Sequence, residues 1–181
     1  MILSYTELLG LLDAGVITGA KPASVNAASI DVHLGGEFLS ECVAAMGLCE
    51  IDLAAREPLK VSRLVVKEGA TTFLDPGEFV LAHTVEMFNL PDDISAKFVL
   101  KSSIARAGLN QLSAVWCDAG WHNSRLTLEL SNVTQHHRLT LTAGMPIGQM
   151  VFYRHAMVPA EQSYRARGRY NNSQTVEGVL P

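Results

Sequence analysis

Residues 125–131 read Arg-Leu-Thr-Leu-Glu-Leu-Ser, an unbroken alternation of polar and apolar side chains. A period of two belongs to a strand, so Leu126, Leu128 and Leu130 share one face and Arg125, Thr127, Glu129 and Ser131 share the other. With the leucines in a core, Glu129 stands mid-strand on the opposite face. That face either meets water, the commoner outcome in antiparallel proteins, or lines a pocket.

Shorter runs repeat the strand signal. Asp31-Val-His-Leu ends at Gly35 and Gly36, Phe79-Val-Leu-Ala follows the turn Asp75-Pro-Gly-Glu, and Ala96-Lys-Phe-Val-Leu follows Leu90-Pro-Asp-Asp. Residues 137–142 and 148–153 complete the set. Many short strands separated by turns predict an all-β, mainly antiparallel barrel or sandwich. Ser4-Tyr-Thr-Glu is a capping box that opens a short helix through Leu12. Residues 44–67 carry no clear pattern and read as a loop excursion. A chain of 181 residues fits one domain over 1–181 with a sizeable core. Its polar, Gly- and Asn-bearing end, 162–181, is expected to be a mobile tail without ligand.

Several function classes are disfavoured. No apolar stretch reaches the length of a membrane span, and Met1-Ile-Leu-Ser lacks the start of a signal peptide. Three cysteines, an odd number, fit reduced thiols in a cytoplasm. A net charge of −4 argues against broad nucleic-acid binding, which needs a basic face. A zinc nucleoside deaminase needs His-x-Glu and Pro-Cys-x-x-Cys, and neither occurs. His136-His137 is adjacent rather than at ligand spacing and reads as a surface turn.

Two neighbouring segments carry the chemistry. Lys-Ser-Ser-Ile-Ala-Arg-Ala-Gly-Leu at 101–109 predicts a short helical turn capped by Ser102 or Ser103 and ended by Gly108. Free N–H groups at a helix start suit a phosphate, and Lys101 and Arg106 add full charges. A plain capped surface turn with two solvated cations is the equal alternative on residue types alone. Asp118-Ala-Gly forms a turn entering the Glu129 strand and supplies a second carboxylate. Two acids in one site can divide labour between proton transfer and holding a water or metal.

Together these segments resemble the ordered motifs of the dCTP deaminase family, the deaminating branch of the trimeric dUTPase superfamily. The resemblance is carried by 101–109, Asp118-Ala-Gly-Trp, Thr127-Leu-Glu-Leu and Gly144-Met-Pro-Ile-Gly-Gln. Ser29-Ile-Asp-Val-His-Leu-Gly and the tail residues Tyr164, Arg169-Tyr170 and Gln174 extend it over residues 28–178. It implies a dUTPase-like β-barrel or sandwich and zinc-independent hydrolysis of the C4 amino group of dCTP to give dUTP and ammonia. By the same resemblance Glu129 is the catalytic glutamate that activates water. Ser102 and Arg106 assist the reaction and hold the phosphates, in a turn shared with Lys101 and Ser103. Asp118 lies near the sugar, and in dUTP-hydrolysing relatives it positions the attacking water. Thr127 reads the base through its backbone. Tyr164, Arg169 and Gln174 close over the nucleotide, with a packing aromatic as the alternative for Tyr164. Mg²⁺ is expected with the triphosphate, and a homotrimer with sites at subunit interfaces is implied.

The chain departs from the family pattern in places. Strictly deaminating members carry His-Arg where this chain has Val115-Trp116, a pair that can shape the base pocket. An apolar-aromatic pair is more like bifunctional members, which also split dUTP to dUMP and pyrophosphate. The segment from Leu109 to Ser113 is one residue short and 122–124 one residue long. Asn171-Asn-Ser-Gln replaces the usual Gln-x-Gln-Gly-Pro. Two other readings therefore stand beside dCTP deamination: a dUTP pyrophosphatase only, and a catalytically silent nucleotide-binding regulator. A modified cytosine nucleotide is a further substrate candidate.

Overall fold

A computed structural model describes residues 1–42 and 48–180. Twelve strands run in order among these residues. The first five are β1 (Ile17–Thr18), β2 (Ile30–His33), β3 (Glu37–Glu41), β4 (Val61–Val65) and β5 (Thr71–Leu74). β6 (Phe79–Phe88), β7 (Ile94–Leu100), β8 (Leu109–Gln111) and β9 (Trp116–Cys117) follow. The last three are β10 (Ser124–Asn132), β11 (Leu139–Thr142) and β12 (Pro146–Arg154). One sheet has the order β4-β3-β6-β10-β8, with β1 also on β6. A second has the order β2-β12-β7-β9, and β11 pairs with β5. All of these pairings are antiparallel. The mainly antiparallel β fold expected from sequence is the fold observed.

The core forms where apolar faces meet. Leu128 and Leu130 of β10 meet Phe98 of β7 and Met150 and Phe152 of β12 in one cluster, all essentially without solvent exposure. The helix α1 (Tyr5–Asp13) covers part of it with Leu8 and Leu11. At its start the Ser4 backbone N–H and hydroxyl both donate to the Glu7 carboxylate, at 3.0 and 2.8 Å, as the capping signature predicts. No helix is long and apolar enough to cross a membrane.

Three expectations need correction. Within 44–67 a strand is present: β4 pairs with β3 over Val61–Val65. It lies at a sheet edge with most side chains exposed, so no burial alternation marks it. Residues 44–47 of that stretch lie outside the described residues. In the turn α2 (Ser102–Ala105) the N-cap is Lys101, and neither serine caps the helix through its side chain. Gly108, at φ +93°, does turn the chain out of the helix toward β8.

The third correction is on β10. Its alternation breaks at Leu126, which is half-exposed while Leu128 and Leu130 are buried. The β6–β10 register shifts there: Arg125 faces Met87 and Thr127 faces His83, so Thr84, Val85 and Glu86 stand opposite the single residue Leu126. Such a bulge re-aims side chains. It is tied down on every side. Thr84 Oγ1 accepts from the Leu126 N–H at 3.0 Å and donates to the Glu86 carbonyl at 2.9 Å. The Arg125 guanidinium donates to the Val85 carbonyl at 2.6 Å. The Glu86 carboxylate, with no exposure, accepts from the His33 backbone N–H at 2.9 Å and faces His33 Nδ1 at 2.7 Å.

The chain end packs back on this frame. α3 (Tyr164–Arg167) starts at Ser163, whose hydroxyl accepts from the Arg165 N–H at 3.2 Å. Beyond it the Ser173 carbonyl accepts from the Arg125 N–H at 2.8 Å, and Val176 is fully buried against Leu39 and Leu81.

The bulge predicts a stability effect. Glu86→Ala strips the part-buried His33 backbone N–H of its acceptor, and an unsatisfied buried polar group costs about 1–3 kcal/mol, an upper bound here. Denaturant titration should show a loss within that bound, with the slope of the transition unchanged.

Candidate active site

The polar face of β10 is partly covered rather than fully exposed. Together with β9 and the returning tail it encloses a cavity of about 450 Å³, lined by Glu129, Thr127, Asp118 and Tyr164 among others. Strand geometry explains the grouping. Thr127 and Glu129 are two residues apart and therefore share a face, and Leu81 of β6 stands beside Glu129 in register. Phe79, Leu81 and Val61 give the cavity an apolar wall.

Glu129 sits in that wall partly withdrawn from water. Burial pushes its carboxyl above the ordinary 4.5, because the charged form loses solvation. Hydrogen bonds from its own backbone and from Gln111 pull the other way. Gln111 Nε2 donates to Glu129 Oε2 at 2.8 Å. The result is a carboxylate that accepts a proton more readily than a solvated one.

Asp118 has a different setting. It is exposed, and Trp116 Nε1 donates to its Oδ1 at 2.9 Å. The Trp116 ring lines the cavity and leans on Tyr153, centroids 5.5 Å apart. Val115 instead packs against the core. Asp118 and Tyr164 also line a second cavity of about 380 Å³ that contains Arg167. Burial raises the Tyr164 phenol above its usual range, so it stays protonated. Cys117, buried beside Asp118, has its thiol pushed up to about 12, first by burial and then by the charges of Asp118 and Glu129. It is neither a nucleophile nor a metal ligand in that state.

The remaining predicted residues lie elsewhere. Ser102, Ser103 and Arg106 are exposed, and none of these or Lys101 lines the cavity. Lys101 Nζ pairs with Asp31 Oδ2 at 2.6 Å, and Asn26 donates to the other Asp31 oxygen at 2.9 Å. Arg169 and Gln174 are exposed and outside the cavity lining; Gln174 donates to the Asn123 carbonyl at 2.7 Å. One chain thus brings together Glu129, Asp118, Thr127 and Tyr164, and leaves apart Lys101, Ser102, Ser103, Arg106, Arg169 and Gln174.

Several lining residues are not singled out from the sequence as site residues, Tyr170 appearing there only as part of the tail motif. Leu126 is turned inward by the bulge. Tyr170, Ser173 and Glu177 arrive with the tail, where the Ser173 hydroxyl donates to Glu177 at 2.6 Å. Arg125 is the sole cation among the cavity-lining residues, and its guanidinium is already bonded to β6 carbonyls. Among the described residues no group of three or more His, Cys, Asp or Glu is set to hold a metal, and His136 and His137 are exposed. Cys42, Cys49 and Cys117 are free thiols.

Comparison with known proteins gives a consistent picture. A family model described as dCTP deaminase-like matches residues 2–155. A relative from Acidothermus cellulolyticus named "dCTP deaminase, dUMP-forming" is 39% identical over 185 residues, covering 100% of this chain and 94% of its own length. One of the same name from Dictyoglomus thermophilum is 34% identical, covering 96% and 91%. Among solved structures, the 2'-deoxycytidine 5'-triphosphate deaminase from Agrobacterium tumefaciens has a TM-score of 0.64 at 22% identity, over 89% of this chain. This chain spans only 50% of that longer one. The dUTPase from Streptococcus mutans has a TM-score of 0.50 at 17% identity, over 78% of this chain and 88% of that one. At these identities the two structures share a fold with this chain.

The buried carboxyl makes a stability prediction. A folded-state pKa raised above the unfolded one gives stability that is present below the unfolded value and lost as pH rises through the folded value. Glu129→Gln removes that loss. The melting temperature of the variant minus that of wild type should be more positive at about pH 7.5 than at about pH 4. A difference that does not change with pH contradicts a desolvated Glu129.

Proposed function

The chain belongs to the dCTP deaminase-like family, and on that premise we propose that it converts dCTP to dUMP in two hydrolytic steps within pyrimidine deoxynucleotide metabolism. The first step takes dCTP and water to dUTP and ammonia. The second takes dUTP and water to dUMP and pyrophosphate. One observation carries the reading: of the three acids that line a single cavity, two stand in unlike surroundings, Glu129 partly desolvated and Asp118 open to solvent, while Glu177 accepts from Ser173. Paired acids with unlike environments are suited to unlike tasks.

In the first step Glu129 takes a proton from water as its oxygen attacks C4. That proton is delivered to N3, and Glu129 then takes the proton of the new C4 hydroxyl and gives it to the amino group, so that the C4–N4 bond breaks, ammonia leaves, and C4=O with N3–H remains. A carboxyl whose affinity for protons is raised serves as base and then as acid. The apolar side formed by Phe79 and Leu81 keeps other water from the ring. In the second step Asp118 orients a water toward the α-phosphorus, and the bond from that phosphorus to the bridging oxygen breaks. The dUMP-forming relatives and the Val115-Trp116 pair support including this step.

The triphosphate needs cations that the cavity of one chain does not offer, since its Arg125 is engaged. We assign this role to Lys101, Ser102, Ser103 and Arg106 from a neighbouring subunit of a homotrimer. Arg169 and Gln174, with Tyr164, close from the tail 162–181 over the nucleotide. Asp118, an exposed hard oxygen donor, would hold a water on a Mg²⁺ carried in with the triphosphate, and that ion would offset the phosphate charge. Three unpaired thiols and a nucleotide substrate fit the cytoplasm.

Incubation with dCTP or dUTP and Mg²⁺, resolving ammonia, dUTP, dUMP and pyrophosphate, tests the proposal. Wild type should release ammonia and pyrophosphate from dCTP. Glu129→Gln should lose ammonia release by about 10²–10⁴-fold, and Asp118→Asn should lose pyrophosphate release from dUTP by a similar factor. Pyrophosphate from dUTP with no ammonia from dCTP would leave a dUTP pyrophosphatase. Tight binding of both nucleotides without turnover would leave a silent binder.

A further inference from the structure

We propose that Gln111 is a positioning residue for Glu129: its side-chain amide occupies carboxylate oxygen Oε2, so that the transferred proton is carried on Oε1. The inference rests on the reading of Glu129 as the proton-transfer group and adds the residue that decides which oxygen works.

The geometry is specific. Gln111 is the last residue of β8, the edge strand beside β10, and pairs with Leu130. The next residue, Leu112, donates its N–H to the Glu129 carbonyl at 3.0 Å, which fixes the backbone at both residues. From there Gln111 Nε2 reaches Glu129 Oε2 at 2.8 Å. Among the described residues it is the only side chain bonded to that carboxylate. A carboxylate is acceptor-only, so the amide must present its N–H₂ to it.

Chemistry follows from that bond. Protonation weakens an oxygen as an acceptor, so the oxygen that holds the Gln111 N–H is the less favoured place for the proton, and among the described residues no side chain bonds Oε1. Water's proton is therefore directed to Oε1. The amide also holds the carboxylate plane, which removes a rotation that a reacting group would otherwise have to stop. Gln111 itself is absent from the cavity lining, so its influence passes through Glu129 rather than through substrate. Gln111 donates to the charged form, so its loss should raise the carboxyl's proton affinity further.

The test uses the full chain as wild type, Gln111→Met and Gln111→His. Methionine keeps the length without a donor, and histidine keeps an N–H. Glu129 is titrated directly by carbon-13 NMR of labelled glutamates, assigned with Glu129→Gln, and ammonia release from dCTP is followed against pH. In Gln111→Met the Glu129 titration and the acid limb of the rate profile should both move to higher pH. Its kcat should fall about ten-fold or more, with KM for dCTP changed less than about two-fold. Gln111→His should recover part of the loss. A titration and acid limb identical to wild type in Gln111→Met overturn the proposal, whatever the rate. If wild type releases no ammonia yet the titration moves, the positioning stands and the deaminase reading falls. If ammonia is released and the titration does not move, the reverse holds. Should the methionine variant not fold, a histidine variant with kcat below a tenth of wild type and an unmoved titration also overturns it.

Discussion

Holding the Glu129 carboxylate partly out of water is the interaction on which the arrangement turns. Sheet order supplies the means. β10 lies between β6 and β8, so its backbone is bonded on both sides, and its Leu128 and Leu130 are sunk in the main core. The opposite face is left to Thr127 and Glu129, and it is partly covered because β9 and the docked tail stand beside it. A charged group in such a place is unfavourable unless bonded, and the Gln111 amide supplies the bond. Desolvation on one side, and Glu129's own backbone with the Gln111 amide on the other, set opposing pulls on one carboxyl.

The bulge opposite Leu126 is the second device. Without it the strand would keep its strict alternation, and Leu126, now half-exposed at the edge of the core, would be buried like Leu128. Thr84, Arg125 and the buried Glu86–His33 contact hold the extra residues of β6 in place. Arg125 is thereby committed to carbonyl groups. An otherwise apolar and acidic cavity is left with no spare cation among its lining residues, while Arg106 stands exposed elsewhere on the same chain, on a turn whose other cation, Lys101, is paired with Asp31. That complementarity is the physical ground for proposing that one subunit's turn completes another's cavity.

Much of this was legible in the sequence. The period of two over 125–131, the turns at 75–78 and 90–93, and the Ser4–Glu7 cap all report backbone geometry through local residue choice. Glu129 and Asp118 could be singled out for the same reason, with the family resemblance supplying their roles. The rest depended on contacts between distant segments. Exposed β4 has no face to alternate. The bulge is a property of two strands 40 residues apart, as the Arg125–Val85 bond shows. The tail looked polar and loose, yet Val176 finds Leu39 and Leu81, and Glu177 enters the cavity with it. Gln111 carried no signal because its meaning lies wholly in what β10 presents to it.

The most direct measurement is a crystal structure of Glu129→Gln with dCTP and Mg²⁺. The pyrimidine ring should lie in the cavity, with C4 facing residue 129 across one water. A ring bound outside that cavity, or one turned so that residue 129 faces the sugar or solvent, would contradict the central claim.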